Sequence, residues 1–228
     1  MDTRLHWNYF LALEKDLERV SRYIEFCPPN FQVYSIELAH LLFAAASEVD
    51  TLAKCTCQSL NPSAKRDDMN DYRAAITQAE KDETYPVISQ SSEASVKVKP
   101  EHRHRLSDIK VFIPHYSIEL APWKSWADGT KNPVWWRSYN HVKHQRDACF
   151  REVTLINAMN ALGGLLAFNY YYCRALIPKD VRFHYWGKAV TCQLEPQSTF
   201  IRLREDYYDN LRKEFSEFRD GVRYGVHK

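Results

Sequence analysis

Residues 153–173 carry no charged side chain, and no other feature constrains the fold of this chain as tightly. A stretch of that length is about what is needed to span a hydrocarbon core, so it is either a membrane segment or a helix buried on all sides by the rest of the protein. Asn157, Asn160 and Asn169 interrupt it. In lipid each amide would need a partner, whereas a central helix can offer its amides to neighbouring helices or to a second subunit. The three amides favour a central helix with no membrane association.

The flanking sequence supplies helices to surround it. Across residues 3–25, Leu13, Leu17, Val20 and Ile24 recur at helical spacing, with Asp2 or Thr3 as a cap and Cys27-Pro28-Pro29-Asn30 as a stop. Residues 31–60 repeat the pattern through Tyr34, Leu38, Leu41, Ala45, Val49 and Leu52, which predicts a second long helix packed back antiparallel on the first. Gly163-Gly164 permits close approach of another backbone, within the chain or from a second copy. A shorter helix is expected over 69–81, with Tyr72, Ile76 and Ala79 as a weak stripe.

Residues 85–105 are rich in Ser, Glu, Lys and Pro without a sustained apolar period, the composition of a mobile loop or an insertion. The run His102-Arg103-His104-Arg105 closes it, either a solvated loop or a track for a nucleic-acid backbone. Ile109, Val111 and Ile113 alternate, as do Ile118 and Leu120, so a small hairpin is expected there. Asn132-Pro133 is a helix start with Asn as cap. Whether that helix runs unbroken over 133–176, or is recapped by Asp147, the sequence leaves open. After Pro178 an irregular or strand-like wrap should precede a solvated helix over 205–218. These elements make one all-α domain over 1–228, with 82–132 a loop-rich insertion and 178–228 a C-terminal extension.

The net charge of +2, with 26% charged residues, gives no global basic excess, so any anion-binding surface must be local. Six cysteines lie scattered without paired CxxC knuckles, and the N-terminal residues lack an apolar signal core, which points to a reduced, cytoplasmic protein. Cys55-Thr-Cys57 falls short of the paired spacing of a zinc site, so no metal and no cofactor are expected.

Local charge is densest in Trp135-Trp136-Arg137-Ser138-Tyr139-Asn140-His141-Val142-Lys143-His144-Gln145-Arg146. On a helix, Arg137, Asn140 and His144 fall at i, i+3 and i+7, along one stripe. Cutting RNA without a metal needs proton transfer at the attacking 2′-hydroxyl and the leaving 5′-oxygen, and positive charge on the crowded phosphorane between them. An imidazole exchanges protons near neutral pH, and a guanidinium grips phosphate oxygens bidentately. His144 and Arg137 supply these functions, with Asn140 orienting the imidazole or holding substrate, and Lys143, His141 and Arg146 contributing to RNA binding. Trp135, Trp136 and Tyr139 are packing anchors, and Glu48 is a possible partner for Arg137 or Lys143. Tyr170, Tyr171 and Tyr172 fill core and interface rather than stacking bases.

Arg137, six intervening residues and His144 resemble the R-x(4–6)-H signature of the HEPN superfamily, and Tyr139-Asn140-His141-Val142-Lys143-His144 looks like the Tyr-Asn-x-x-Lys-His box of bacterial HEPN-like proteins. The resemblance covers the two N-terminal helices and residues 133–176. The position after the arginine, usually Asn, Asp or His, is Ser138. The resemblance implies an antiparallel helical bundle, RNA as substrate, catalysis by Arg137 and His144 without a metal, and a homodimer with a composite cleft. It also implies a toxin or anti-phage setting with an operon-encoded protein partner. The alternative is a non-catalytic helical module that binds a partner protein, RNA or a nucleotide.

Overall fold

The computed structural model describes residues 3–81, 84–89, 92–97, 105–176, 190 and 194–204. Helix α1 (Thr3–Val20) buries Trp7, Phe10, Leu13 and Leu17 at spacings of three and four. It ends five residues before the expected boundary, because the chain tightens into i−3 turns through Arg22 and Tyr23. Helix α2 (Ile36–Leu60) also starts five residues late. Ser35 caps it by accepting from the Leu38 N–H at 3.2 Å, while residues 31–35 are drawn away to pair with residues 154–156. Leu155 and Ile156 donate their backbone N–H groups to the carbonyls of Val33 and Phe31. Helix α3 (Met69–Lys81) lies where the periodicity places it, burying Met69, Tyr72 and Ile76.

The 133–176 stretch is not one helix. It divides into α4 (Val134–His144), the short α5 (Arg146–Cys149), a 3-10 turn over Phe150–Glu152, and α6 (Leu155–Leu176). Helix α6 is the centre of the fold, packing on α1, α2, α4 and the small sheet, with α2 its most extensive partner. It is buried almost all round, Tyr170, Tyr171 and Tyr172 included, which is why it carries no charge before Arg174. Each fully buried leucine on it contributes about 1.5–3 kcal/mol. Asn160 and Asn169 donate their amides to Ile156 and Leu165 one turn back, so these two groups close within their own helix rather than on a second copy. Among the described residues no helix is long and apolar enough to cross a membrane.

The expected small hairpin is present as β3 (Val111–Ile113) and β4 (Ile118–Leu120), turned through Ser117 at φ 53°. A third antiparallel strand, β5 (Arg202–Leu203), pairs with β3, giving the order β4-β3-β5. The loop expected over 85–105 instead contains a second hairpin, β1 (Thr84–Ser89) with β2 (Ser92–Lys97), in the register Tyr85↔Val96 and Val87↔Ala94. Its polar composition, with Pro86 inside β1, left no sustained apolar run to read as a strand. Most of the His102–Arg105 basic run and the helix expected over 205–218 lie outside the described residues.

A cluster of indoles fixes α4 against α6. The Trp123 ring lies edge-on to Trp126, Trp135 and Phe168 at centroid distances of 4.6, 5.2 and 5.0 Å. Trp135 donates to the Pro122 carbonyl at 3.0 Å. Gly163 and Gly164 face this side of the same chain: a Cβ on Gly163 would meet Val111 and Leu120, and one on Gly164 would meet Trp135. At the far side of the core, the segment preceding β5 straps α1. Glu14 accepts the N–H groups of Thr199, Phe200 and Ile201 at 3.1, 2.8 and 2.8 Å, and Trp7 donates to the Pro196 carbonyl at 2.9 Å.

Candidate functional site on helix α4

Helix α4 begins one residue later than the Asn132 cap predicted. Pro133 occupies the cap position and its carbonyl receives the Arg137 N–H at 3.1 Å. The Asn132 side chain turns to α3, accepting from Arg73 at 3.1 Å. One face of α4 is then anchored: Trp135, Trp136, Ser138, Tyr139 and Val142 are buried. Tyr139 lies edge-on to Phe43 of α2, with ring centroids 5.1 Å apart.

On the opposite side Arg137, His141 and His144 are all exposed. At i, i+4 and i+7 they form one stripe. Arg137 and His144 have no ion pair or side-chain hydrogen bond among the described residues. Asn140, expected beside them, is half-buried rather than exposed. Its Nδ2 donates to the Trp136 carbonyl at 3.1 Å, so the amide is tied to its own backbone rather than to an imidazole. Asn140 and Lys143 instead line a polar cavity of about 570 Å³ between α2, the start of α3 and α4, with Asp50, Lys54 and Asn132 on its other walls. Lys143 lies over the Tyr139 ring at 5.5 Å, and Arg146 over Phe43 at 5.6 Å. The six residues singled out on this segment are therefore split between an exposed stripe, a polar cavity and a stacking contact.

The end of α4 is set by Gln145, whose φ of −140° and ψ of 57° leave the helical region. Its N–H returns to the His141 carbonyl at 2.7 Å, and His141, Lys143 and His144 then occupy the last turn, where a helix terminus favours cations. The chain reverses through α5 and the 3-10 turn and delivers Glu152 back to α4. Both carboxylate oxygens of Glu152 reach Nδ1 of His141, at 3.1 and 3.0 Å. Asn157 braces this turn. Its Nδ2 donates to the Glu152 carbonyl at 2.9 Å and to the buried Ser138 hydroxyl at 3.1 Å, so Ser138 is a structural contact between α4 and α6. Neither Glu152 nor Asn157 is marked as a site residue by local spacing, because their contacts depend on the reversal at Gln145.

Glu48 does not reach Arg137 or Lys143; it pairs with Nδ1 of His6, a buried residue of α1. His6 Nε2 has no hydrogen-bond partner among the described residues, and the ring stands edge-on to Tyr172 at 6.0 Å. Burial pushes the Cys57 thiol up to about 12 and also raises Cys55, helped by the Glu48 charge. Among the described residues no three His, Cys, Asp or Glu side chains are grouped so as to hold a metal ion.

Fold and site together define a predominantly helical protein that carries a short basic helix on a tryptophan-anchored base. No protein-family model, curated protein or solved structure matches the chain.

Proposed function

We propose that this protein is a metal-independent endoribonuclease of the HEPN type, acting in the cytoplasm as a toxin or anti-phage effector. The observation that carries the reading is the exposed α4 stripe, where a guanidinium free of ion pairs among the described residues shares a face with His144. Arg137 holds the scissile phosphate and neutralises the charge that builds on it, while His144 exchanges a proton with the sugar or the leaving oxygen. Lys143, His141 and Arg146 add cationic character around the stripe for the RNA backbone. As a homodimer, two copies of Arg137 and His144 would meet across one cleft. Light scattering of the purified protein tests that assembly, and a monodisperse monomer at micromolar concentration removes it.

The buried hydrogen bond of Ser138 favours a second reading. That position gives no polar group to the exposed stripe, as a non-catalytic module binding RNA, a nucleotide or an operon-encoded protein partner would allow. Incubation of the purified protein with total RNA in EDTA separates the two. Cleavage leaving a 2′,3′-cyclic phosphate, with 2′-deoxy substrates bound but intact, supports the ribonuclease. No cleavage of any RNA supports the binding module.

A further inference from the structure

The ribonuclease reading takes His144 as its imidazole, but the side chain on the stripe that is built for directed proton transfer is His141. Its Nδ1 is met by both oxygens of Glu152, at 3.1 and 3.0 Å. An ionised carboxylate only accepts, so Nδ1 carries the hydrogen and the lone pair is confined to Nε2. The imidazole is 56% exposed and its carboxylate partner 38%, which leaves the ring open to a substrate while one edge is held. Glu152 is itself fixed from behind by Asn157, bonded at once to the Glu152 carbonyl and to Ser138 inside the α4–α6 contact. His144, by contrast, has no orienting partner among the described residues.

Spacing points the same way. Along a helix Arg137 and His141 are one turn apart, about 6 Å, and His141 and His144 about 4.5 Å, whereas Arg137 and His144 are separated by about 10.5 Å. Of the two imidazoles His141 lies nearer to Arg137 along the helix axis, and His144 follows less than one turn further on.

We infer that His141 is the general base of this site, that Glu152 and Asn157 position it, and that His144 is the general acid; the inference rests on the ribonuclease reading. The 2′-hydroxyl proton passes to Nε2 of His141 as the 2′-oxygen forms its bond to phosphorus. The bond from phosphorus to the 5′-oxygen breaks, and that oxygen takes a proton from a protonated His144. The products are a 2′,3′-cyclic phosphate end and a 5′-hydroxyl end. The two imidazoles then restore their starting states by proton exchange with water.

The test is steady-state cleavage of a mixed-sequence single-stranded RNA in EDTA by the full chain and by His141→Ala, Glu152→Gln and Glu152→Asp, each checked for fold by circular dichroism. His141→Ala should lower kcat by about 10²–10⁴-fold, and added imidazole should recover part of it. Glu152→Gln should lower kcat by about tenfold or more with KM little changed, and Glu152→Asp, which keeps the carboxylate, should lie between it and the wild type. Wild-type kcat in folded His141→Ala, or equal kcat across the Glu152 variants, overturns the assignment while leaving the ribonuclease standing. Failure of the wild type to cut any RNA overturns both.

Discussion

The indole N–H of Trp123 is donated to the backbone carbonyl of Gly164 at 3.0 Å, so the tryptophan cluster is bonded to the central helix at the point where that helix has no side chain. A Cβ at this position would stand 3.0 Å from Cζ2 of Trp135 and 3.4 Å from Nε1 of Trp123. Both atoms belong to rigid rings packed on each other. Gly164→Ala should therefore destabilise by about 1–3 kcal/mol despite the better helix propensity of alanine. At Gly163 the nearest atom would be Val111 Cγ1 at 3.5 Å, an ordinary contact, and Gly163→Ala should be neutral or stabilising by up to about 1 kcal/mol. Urea denaturation of the two variants checks the contrast, and equal midpoints would contradict the packing described.

Glu14 gives a pH dependence with a definite sign. Burial raises its carboxyl above the ordinary carboxylate value, the N–H groups of Ile201, Phe200 and Thr199 oppose that rise, and the charge of Glu18 adds to it. The native state thus holds the proton more tightly than the unfolded chain. Glu14 supports the fold most at acid pH, and its contribution is lost as pH rises from the ordinary carboxylate range through the raised native value. Glu14→Gln keeps an oxygen for the three donors without a charge to desolvate, so its stability relative to wild type should improve as pH rises across that window. Glu14→Ala leaves the donors without an acceptor and should lose about 2–5 kcal/mol. Urea titrations at several pH values measure both.

Asn157 joins Ser138 to the turn that carries Glu152. Asn157→Ala should lower stability by about 1–3 kcal/mol. Ser138→Ala should lose less, about 0.5–1.5 kcal/mol, because Asn157 keeps its bond to Glu152. Thermal denaturation gives the order, and a reversed order would remove Asn157 as the brace.

Arg137→Lys should not restore what Arg137→Ala removes. A lysine keeps the charge but not the planar pair of donors that spans two phosphate oxygens. If RNA is cut, both substitutions should reduce kcat/KM by about 10²–10³-fold, the alanine variant more, with melting temperature unchanged because the side chain is exposed. His144→Ala should leave the fold equally intact while removing most turnover. Cleavage rates and melting curves on the same preparations provide the measurement.

Among the described residues, strands β1 and β2 form a two-stranded sheet, an arrangement that is marginal by itself. Limited trypsin digestion should cut first at Lys97, at the end of β2. Initial cleavage at Lys54, within α2, would contradict the order of local stability this implies.

What the sequence reveals follows from how local the cause is. Helix α3 lies over the expected residues because Tyr72 and Ile76 are one turn apart on its own surface. The uncharged run identifies α6 because burial on every side leaves no face for a charge. The start of α2 depends on partners far along the chain: Phe31 and Val33 are claimed by Ile156 and Leu155. At the site, the exposure of Arg137 and His144 is legible from helical spacing. The withdrawal of Asn140 to Trp136 is not, nor is the arrival of Glu152 at His141, because both depend on which rotamer and which turn the packing selects.

The strap from Pro196 to Leu203 has a consequence for synthesis. Its bonds to Trp7 and Glu14 span 185 to 189 residues, and β5 is what closes the free edge of β3. A nascent chain emerging from the ribosome can assemble α1, α2 and the β3–β4 hairpin long before residues 196–203 leave the exit tunnel. For that interval β3 presents an unpaired edge and Trp7 and Glu14 of α1 lack their strap partners, a window in which a chaperone or another nascent copy can pair with what the strap will later cover.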